Sequence, residues 1–331
     1  MVSTVAVLGD GAWGTALALL LARDPARRVT LWSAREENGR ILRERRENVR
    51  LLPGVPIPPS IHLTTDPAAA VAGAGLWVVA VPTVYLRQTM ARFTELGERA
   101  AVLSLTKGFE IDTALRPSEI IRQVLGVNQV AVFSGPSHAE EVSRGLPASV
   151  VVASGDMELA SAVQHTLRGE RFRVYTNPDV IGVELAGALK NVMGIAAGIC
   201  EGLGLGDNAR AALLTRGLAE MTRFGVALGA EPATFAGLAG VGDLIATCVS
   251  PHGRNRRVGL QLAAGQRWES IRAGMVMVAE GAFTARSVHE RARQAGLEMP
   301  ITAEVYRVLY EDKDPRSAVT NLMLRSPKGE Q

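Results

Sequence analysis

The sequence predicts an α/β chain: an N-terminal, Rossmann-like, mostly parallel sheet domain followed by a C-terminal all-α domain. Three observations carry this. Short apolar, β-branched runs alternate with Ala/Leu-rich helical stretches up to Asn177-Pro178. The first run stops at a glycine cluster. Beyond Asp179 the β-branched runs give way to Ala/Leu/Gly helices. Residues 1–178 are therefore expected to be a dinucleotide-binding domain, and 179–331 a helical substrate-binding domain, with a cleft between them.

Thr4-Val5-Ala6-Val7-Leu8 is short, apolar and closed by glycine, as in a strand buried on both faces. A helix follows from Trp13 to Ala22, ending before Asp24-Pro25, and then a strand at Val29–Trp32. Strand, helix and strand within about 30 residues make the βαβ unit of a parallel sheet. Leu76–Val81 is the next clear strand, halted by Pro82, which cannot donate to a ladder. Further strands are expected at Ala101–Ser104, Val130–Phe133, Ala148–Ala153 and Arg173–Thr176, with helices at Val84–Leu96 and Met157–Leu167. Pro53, Pro56, Pro58 and Pro59 mark an irregular connection. In the second half, helices are expected at Gly182–Gly198, Asn208–Leu228, Arg257–Ala264, near Thr284–Ala295, and from Pro300 to Leu309. Asn208 reads as a helix cap.

The 331 residues are 47% hydrophobic and 21% charged, the balance of a globular chain with room for two domains. The net charge of +3 is spread in mixed sign, as in Arg43-Glu44-Arg45-Arg46-Glu47. That is unlike the basic stripe of a nucleic-acid binder. Cys200 and Cys248 are the only cysteines and form no CxxC or Cys/His cluster. Neither a disulfide framework nor a metal site is expected, and a reducing cytoplasm is the natural home. The apolar run Ala68–Pro82 is too short and too glycine-broken for a membrane span. No stretch of spanning length is expected, nor any leader before the first strand.

Gly9-Asp10-Gly11-Ala12-Trp13-Gly14 fits G-x-G-x-x-G between the first strand and the first helix. In that setting Gly9 permits the turn and Gly11 admits a pyrophosphate to backbone N–H groups. Gly14 lets helix pack on strand, and the helix N-terminus favours the anion. An acid at the end of the second strand would hold the ribose of NADH, whereas an arginine would take the 2′-phosphate of NADPH. Ser33 and Arg35 stand there, which favours NADPH. Glu36 or Glu37 takes the other role if the strand runs further. Asp10, an acid among the phosphates, is expected to point away.

A dehydrogenase also needs a proton donor for the developing alkoxide. Lys190 lies in the apolar stretch Leu185–Met193, where a lysine is costly unless it meets a polar partner or snorkels to water. Lys107-Gly108, Ser134-Gly135-Pro136-Ser137, Gly240-Val241-Gly242-Asp243 and Arg254–Arg257 supply further glycine-flanked polar groups. His138, after the Ser-Gly-Pro-Ser turn, reads as a helix-start residue rather than a catalyst.

With these stretches in view, the chain closely resembles the bacterial NAD(P)-dependent glycerol-3-phosphate dehydrogenases. The matching segments are GDGAWGTALA (9–18), TKGFE (106–110), SGPSHAEE (134–141), NPDVIGVELAGALKNV (177–192) and NARAALLTRGLAEM (208–221). GLAGVGDLIATC (237–248), RNRR (254–257), AEG (279–281) and EMPIT (298–302) complete the set, nearly end to end. The resemblance implies reversible reduction of dihydroxyacetone phosphate to glycerol 3-phosphate with NADPH or NADH, supplying phospholipid synthesis. It implies that Lys190 is the proton donor, held by Asp243, and that Lys107 serves both nicotinamide and substrate. Gly135, Ser137, Gly253, Arg254 and Asn255 would complete the substrate site, the Arg-Asn pair gripping phosphate. Gly9, Gly11, Ala12, Trp13, Gly14, Ala34, Arg35, Ala139, Arg254, Val278 and Glu280 would contact the cofactor. A homodimer through the apolar helical domain is compatible with it.

Three positions depart from the family pattern. Gly253 replaces a frequent serine before the Arg-Asn pair. Ala12 replaces a frequent serine in the glycine loop, costing one hydrogen bond of ~1 kcal/mol. Ala34 stands where histidine or arginine is frequent. Two rival readings carry different residue demands. A two-domain hydroxyacid dehydrogenase, binding carboxylates, has less use for Lys107 with the Arg254–Arg257 run. A catalytically silent NADPH sensor has no reason to keep Lys190 and Asp243 together.

Overall fold

The computed structural model describes residues 2–96, 101–275, 277–327 and 329. The chain divides into two compact units, Met1–Glu184 and Leu185–Gln331.

Among the described residues the first unit holds ten strands. They are β1 (Thr4–Leu8), β2 (Arg28–Trp32), β3 (Glu47–Asn48), β4 (Leu52–Pro56), β5 (Ile61–Thr64), β6 (Leu76–Val79), β7 (Ala101–Ser104), β8 (Val130–Ser134), β9 (Ala148–Ala153) and β10 (Phe172–Asn177). Eight of them form one sheet in the order β10-β9-β8-β7-β6-β1-β2-β5. Neighbours run parallel except β8 and β9, so the expected mostly parallel sheet is what forms. β3 and β4 make a separate antiparallel ribbon in the proline-rich connection.

Side chains alternate across each strand, and β1 shows how this builds three layers. Val5 and Val7 pack in one cluster with Leu17 and Leu21 of the helix Ala12–Leu21 and Val163 of the helix Met157–Leu167. Ala6 and Leu8 pack in another, with Leu86 and Met90 of the helix Thr83–Ala91 and Ile120 and Ile121 of Pro117–Leu125. Burial on both faces is why these strands read as unbroken apolar runs.

The sheet order places the site. The chain moves outward from β1 to β2 and β5, then returns to the other side of β1 with β6. The loops after β1 and β6 therefore diverge, and ligands bind outside the carboxyl ends of strands at such a switch point.

The second unit is helical. The helix Val180–Gly202, which begins in the first unit, and the helix Arg254–Ala263 come into backbone contact because both carry glycine where they cross. A Cβ on Gly198 would lie 2.0 Å from the Arg256 carbonyl oxygen, and one on Gly259 2.1 Å from that of Ile195. Val192, Ile195, Val258, Leu262, Trp268, Val305 and Leu309 form the core around this crossing.

Some expectations need correction. Ile61–Thr64 is a strand where an irregular connection was expected. The strand expected to reach Val81 stops at Val79, and the helix expected over 84–96 is Thr83–Ala91 with a separate turn at Thr94–Leu96. Asn208 is no cap: its helix starts at Gly206, with Leu205 in the capping position. Two helical stretches, Val180–Gly202 and Pro232–Val249, are long and apolar enough to cross a membrane, which the sequence reading overlooked. The first has 89% of its apolar window buried inside the protein, as a core helix does. The second is broken into Pro232–Phe235, a wide turn at Leu238–Gly242, and Asp243–Val249.

Candidate active site

In the first unit the glycine loop has the form that the sequence predicts. Gly9 has φ +120°, and a Cβ there would lie 2.6 Å from the Ala80 carbonyl oxygen. A Cβ on Gly14 would lie 1.9 Å from the carbonyl oxygen of Gly9, so helix and loop touch only because this residue is glycine. Beside Gly11 nothing lies within 4 Å. Gly11 caps the helix Ala12–Leu21 without any side-chain hydrogen bond. An open cradle beside uncapped first-turn N–H groups fits a pyrophosphate. Ala12, Trp13 and Ala139 meet in one apolar cluster with Leu52 and Val55 of β4, and Trp13 packs edge-on against Phe133 at 5.5 Å.

The carboxyl ends of the neighbouring strands bring further polar groups to the same edge. After β7, Thr106 Oγ1 donates to the Val81 carbonyl at 2.8 Å, and Thr83 Oγ1 donates to the Lys107 carbonyl at 2.9 Å. These bonds fix the half-buried Lys107 on the loop that turns at Gly108, φ +127°. After β8, Gly135 at φ +130° passes so close to β9 that a Cβ would lie 2.9 Å from the Val150 Cα. Ser137 Oγ donates back to the Gly135 carbonyl at 2.8 Å. His138 occupies the capping position of the helix Ala139–Ser143 without a side-chain cap bond.

At the β2 end, Ala34 and Arg35 are exposed and Ser33 is buried. Arg92 joins them: its guanidinium lies 4.7 Å over the Trp32 ring and donates to the Ala34 carbonyl at 3.2 Å. No local pattern pointed to Arg92, which follows a helix 58 residues away from Ala34.

In the second unit Lys190 is buried at 8% exposure, and the snorkelling alternative falls away. Its Nζ donates to Asp243 Oδ1 at 2.5 Å and to Thr247 Oγ1 at 2.7 Å. Asp243 and Thr247 are i and i+4 on the helix Asp243–Val249, so one face presents both. The wide turn before it packs Gly240 on the Phe235 backbone, with a Cβ only 1.9 Å from the Phe235 carbonyl oxygen, and so aims Asp243 inward. Thr247 was missed by sequence reading; its i+4 offset from Asp243 was the available signal.

Asn255 is also buried, and its amide is committed to the protein. Nδ2 donates to Asn191 Oδ1 at 3.0 Å, and Oδ1 accepts from the Gly281 N–H at 3.0 Å. It ties the lysine-bearing helix to the start of the helix Glu280–Gln294. Exposed Arg254 donates to the Val278 carbonyl at 3.1 Å, so Arg254, Asn255, Val278 and Glu280 gather at one place. Gly253 caps the helix Arg254–Ala263 without a side chain, and a Cβ there would meet the Thr247 carbonyl oxygen at 3.0 Å. Near this cluster Cys248 is pushed up to about 12 by burial, against the pull of Lys190. Among the described residues, no group of three or more His, Cys, Asp or Glu is arranged to hold a metal ion.

Comparison with known proteins decides what this arrangement belongs to. The model of the NAD-dependent glycerol-3-phosphate dehydrogenase N-terminus matches residues 4–160, and that of its C-terminus matches residues 179–320. The chain belongs to the NAD-dependent glycerol-3-phosphate dehydrogenase family. A glycerol-3-phosphate dehydrogenase [NAD(P)+] of Moorella thermoacetica is 51% identical over 98% of this chain and 97% of its own length. One of Chlorobium phaeobacteroides is 49% identical, covering 98% of both chains. The crystal structure of glycerol-3-phosphate dehydrogenase from Coxiella burnetii superposes with a TM-score of 0.93. It is 40% identical and covers 98% of this chain and 99% of that one. That chain thus shares this fold over nearly its full length.

Proposed function

We propose that the chain reduces dihydroxyacetone phosphate to sn-glycerol 3-phosphate, reversibly, with NADPH preferred over NADH. The observation that carries this is the buried ammonium of Lys190, held at 2.5 Å by Asp243 and 2.7 Å by Thr247. A lysine is kept in such a place when its proton is needed.

When bound, the reduced nicotinamide supplies the hydride to the carbonyl carbon. As the C–H bond forms, the carbonyl π pair moves to oxygen, and the Lys190 ammonium stabilises that charge and then gives it a proton. Asp243 and Thr247 hold Nζ in place. In the oxidative direction the neutral amine takes the proton back. Lys107 adds positive charge for substrate and nicotinamide. Gly135 and Ser137 line the substrate site, and Arg254 takes the phosphate. Asn255 positions rather than grips, given its bonds to Asn191 and Gly281. Gly9, Gly11, Ala12, Trp13, Gly14 and Ala139 hold the cofactor on the first unit, Arg35 favours the 2′-phosphate, and Val278 and Glu280 contribute from the second.

In this reading residues 1–178 serve the dinucleotide and 179–331 the substrate, in a cytoplasmic enzyme feeding phospholipid synthesis. A homodimer is supported by exposed Val226, Ile245, Val249, Met323 and Leu324 on the helical unit. Loss of 340 nm absorbance with dihydroxyacetone phosphate, NADPH and NADH in parallel tests the reaction. Turnover of the phosphate ester and not of 2-keto acids is expected. The opposite selectivity would move the chain to a carboxylate substrate.

A further inference from the structure

A dinucleotide site on a parallel sheet ordinarily has an acid at the end of the second strand to hold the ribose hydroxyls. Here β2 is followed by Ser33, Ala34 and Arg35, and none is acidic. The fold brings an acid to that place from the glycine loop. Asp10 turns toward the next strand. Its Oδ2 accepts from Ser33 Oγ at 2.8 Å, so the carboxylate lies at the carboxyl end of β2. Its backbone is pinned as well, because Asn48 Nδ2 donates to the Asp10 carbonyl at 2.8 Å and to Thr15 Oγ1 at 2.9 Å.

The groups facing the carboxylate come from three directions: Ser33 and Arg35 after β2, Asn38 on the helix Glu36–Arg45, and the Asp10 backbone itself. Burial pushes the carboxyl above its ordinary range, and these partners only partly pull it back. Ser33, at 1% exposure, has no packing reason to hold a carboxylate, and a half-buried acid beside a ligand loop is a costly group to keep without a task.

We propose that Asp10 reads the adenosine ribose, accepting a hydrogen bond from the 2′-hydroxyl of NADH and repelling the 2′-phosphate of NADPH. This rests on the dinucleotide-binding reading above. Arg35, exposed beside it, attracts the phosphate, so the two residues oppose each other and together set the cofactor ratio. Asp10 therefore narrows the NADPH preference that Arg35 alone would give.

Binding titrations followed by nicotinamide fluorescence test this without any substrate, so they stand even if dihydroxyacetone phosphate is not turned over. Asp10→Asn keeps the shape and the acceptor for Ser33. It is expected to raise the affinity ratio of NADPH to NADH about tenfold, whereas Arg35→Ala lowers it by a similar factor. A second arm needs no variant: the wild-type chain is expected to bind NADH about tenfold more tightly than 2′-deoxy-NADH. Equal affinity for NADH and 2′-deoxy-NADH in the wild-type chain overturns the proposal. So does an Asp10→Asn ratio within twofold of wild type in a chain with a normal far-UV spectrum.

Discussion

The ion pair of Lys190 with Asp243 makes a prediction whose size follows from its burial. The two side chains are 10% and 3% exposed, and their atoms meet at 2.5 Å. Replacing Asp243 by Asn keeps the shape and leaves an oxygen acceptor, but removes the charge that compensates the buried ammonium. Breaking a buried pair from one side costs about 3–5 kcal/mol, because an uncompensated charge stays behind. For a unit of this size that corresponds to a melting point lower by roughly 6–20 °C. Removing both charges together, in Lys190→Met/Asp243→Leu, leaves no orphan and is expected to restore stability to near wild type. Both variants lose turnover, by roughly 10²–10⁴-fold where the proton donor is misplaced. Urea unfolding of the wild type, Lys190→Met, Asp243→Leu and the double variant closes the cycle. If the single-variant losses simply add in the double variant, the two groups are not coupled. The account of a lysine held by its aspartate would then be wrong.

Three other outcomes follow from particular contacts. A Cβ at Gly281 would lie 2.4 Å from the Asn191 carbonyl oxygen and 2.7 Å from Asn255 Oδ1, so Gly281→Ala should displace the Arg254-Asn255 turn. A rise in KM for the phosphate substrate at least as large as the fall in kcat is expected; unchanged KM contradicts it. Glu220 is buried, accepts from the Ile301 and Thr302 N–H groups at 2.8 Å each, and is raised above 4.5 by desolvation. Its contribution to stability is full below the ordinary carboxylate range and is lost as pH rises through the raised value. Thermal melts of Glu220→Gln should therefore gain on wild type between pH 4 and pH 7, and a constant difference would refute this. Cys248, at about 12, carries roughly one thiolate in 10⁴ at pH 8, so iodoacetamide should label it only after unfolding. Fast labelling of the folded chain, read by mass spectrometry, would contradict that.

Local chemistry was legible where it repeats a simple pattern. The glycine loop, the apolar strands and the lysine in an apolar helix each leave a signature within a dozen residues, and each stands in the fold as read. What escaped depends on contacts distant in sequence. β5 is a four-residue edge strand, Ile61–Thr64, alternating buried and exposed residues behind two prolines, and its assignment comes only from pairing with β2. Asp10 looked misplaced because its partner, Ser33, lies 23 residues away at the next strand's end. Asn255 matched a phosphate-binding motif, yet its amide bonds to Asn191 and Gly281 are set by a glycine-lined helix crossing that no local pattern encodes. Thr247 was the near miss, one helical turn beyond an aspartate already singled out.

The most direct measurement of the central claim is single-turnover hydride transfer by Lys190→Met with dihydroxyacetone phosphate and saturating NADPH. NADPH binding is followed by fluorescence in the same sample. If Lys190 gives the proton, transfer should fall by roughly 10²–10⁴-fold while NADPH still binds as in wild type. Transfer at the wild-type rate would show that another group supplies the proton, and the role assigned to the Lys190–Asp243–Thr247 cluster would not stand.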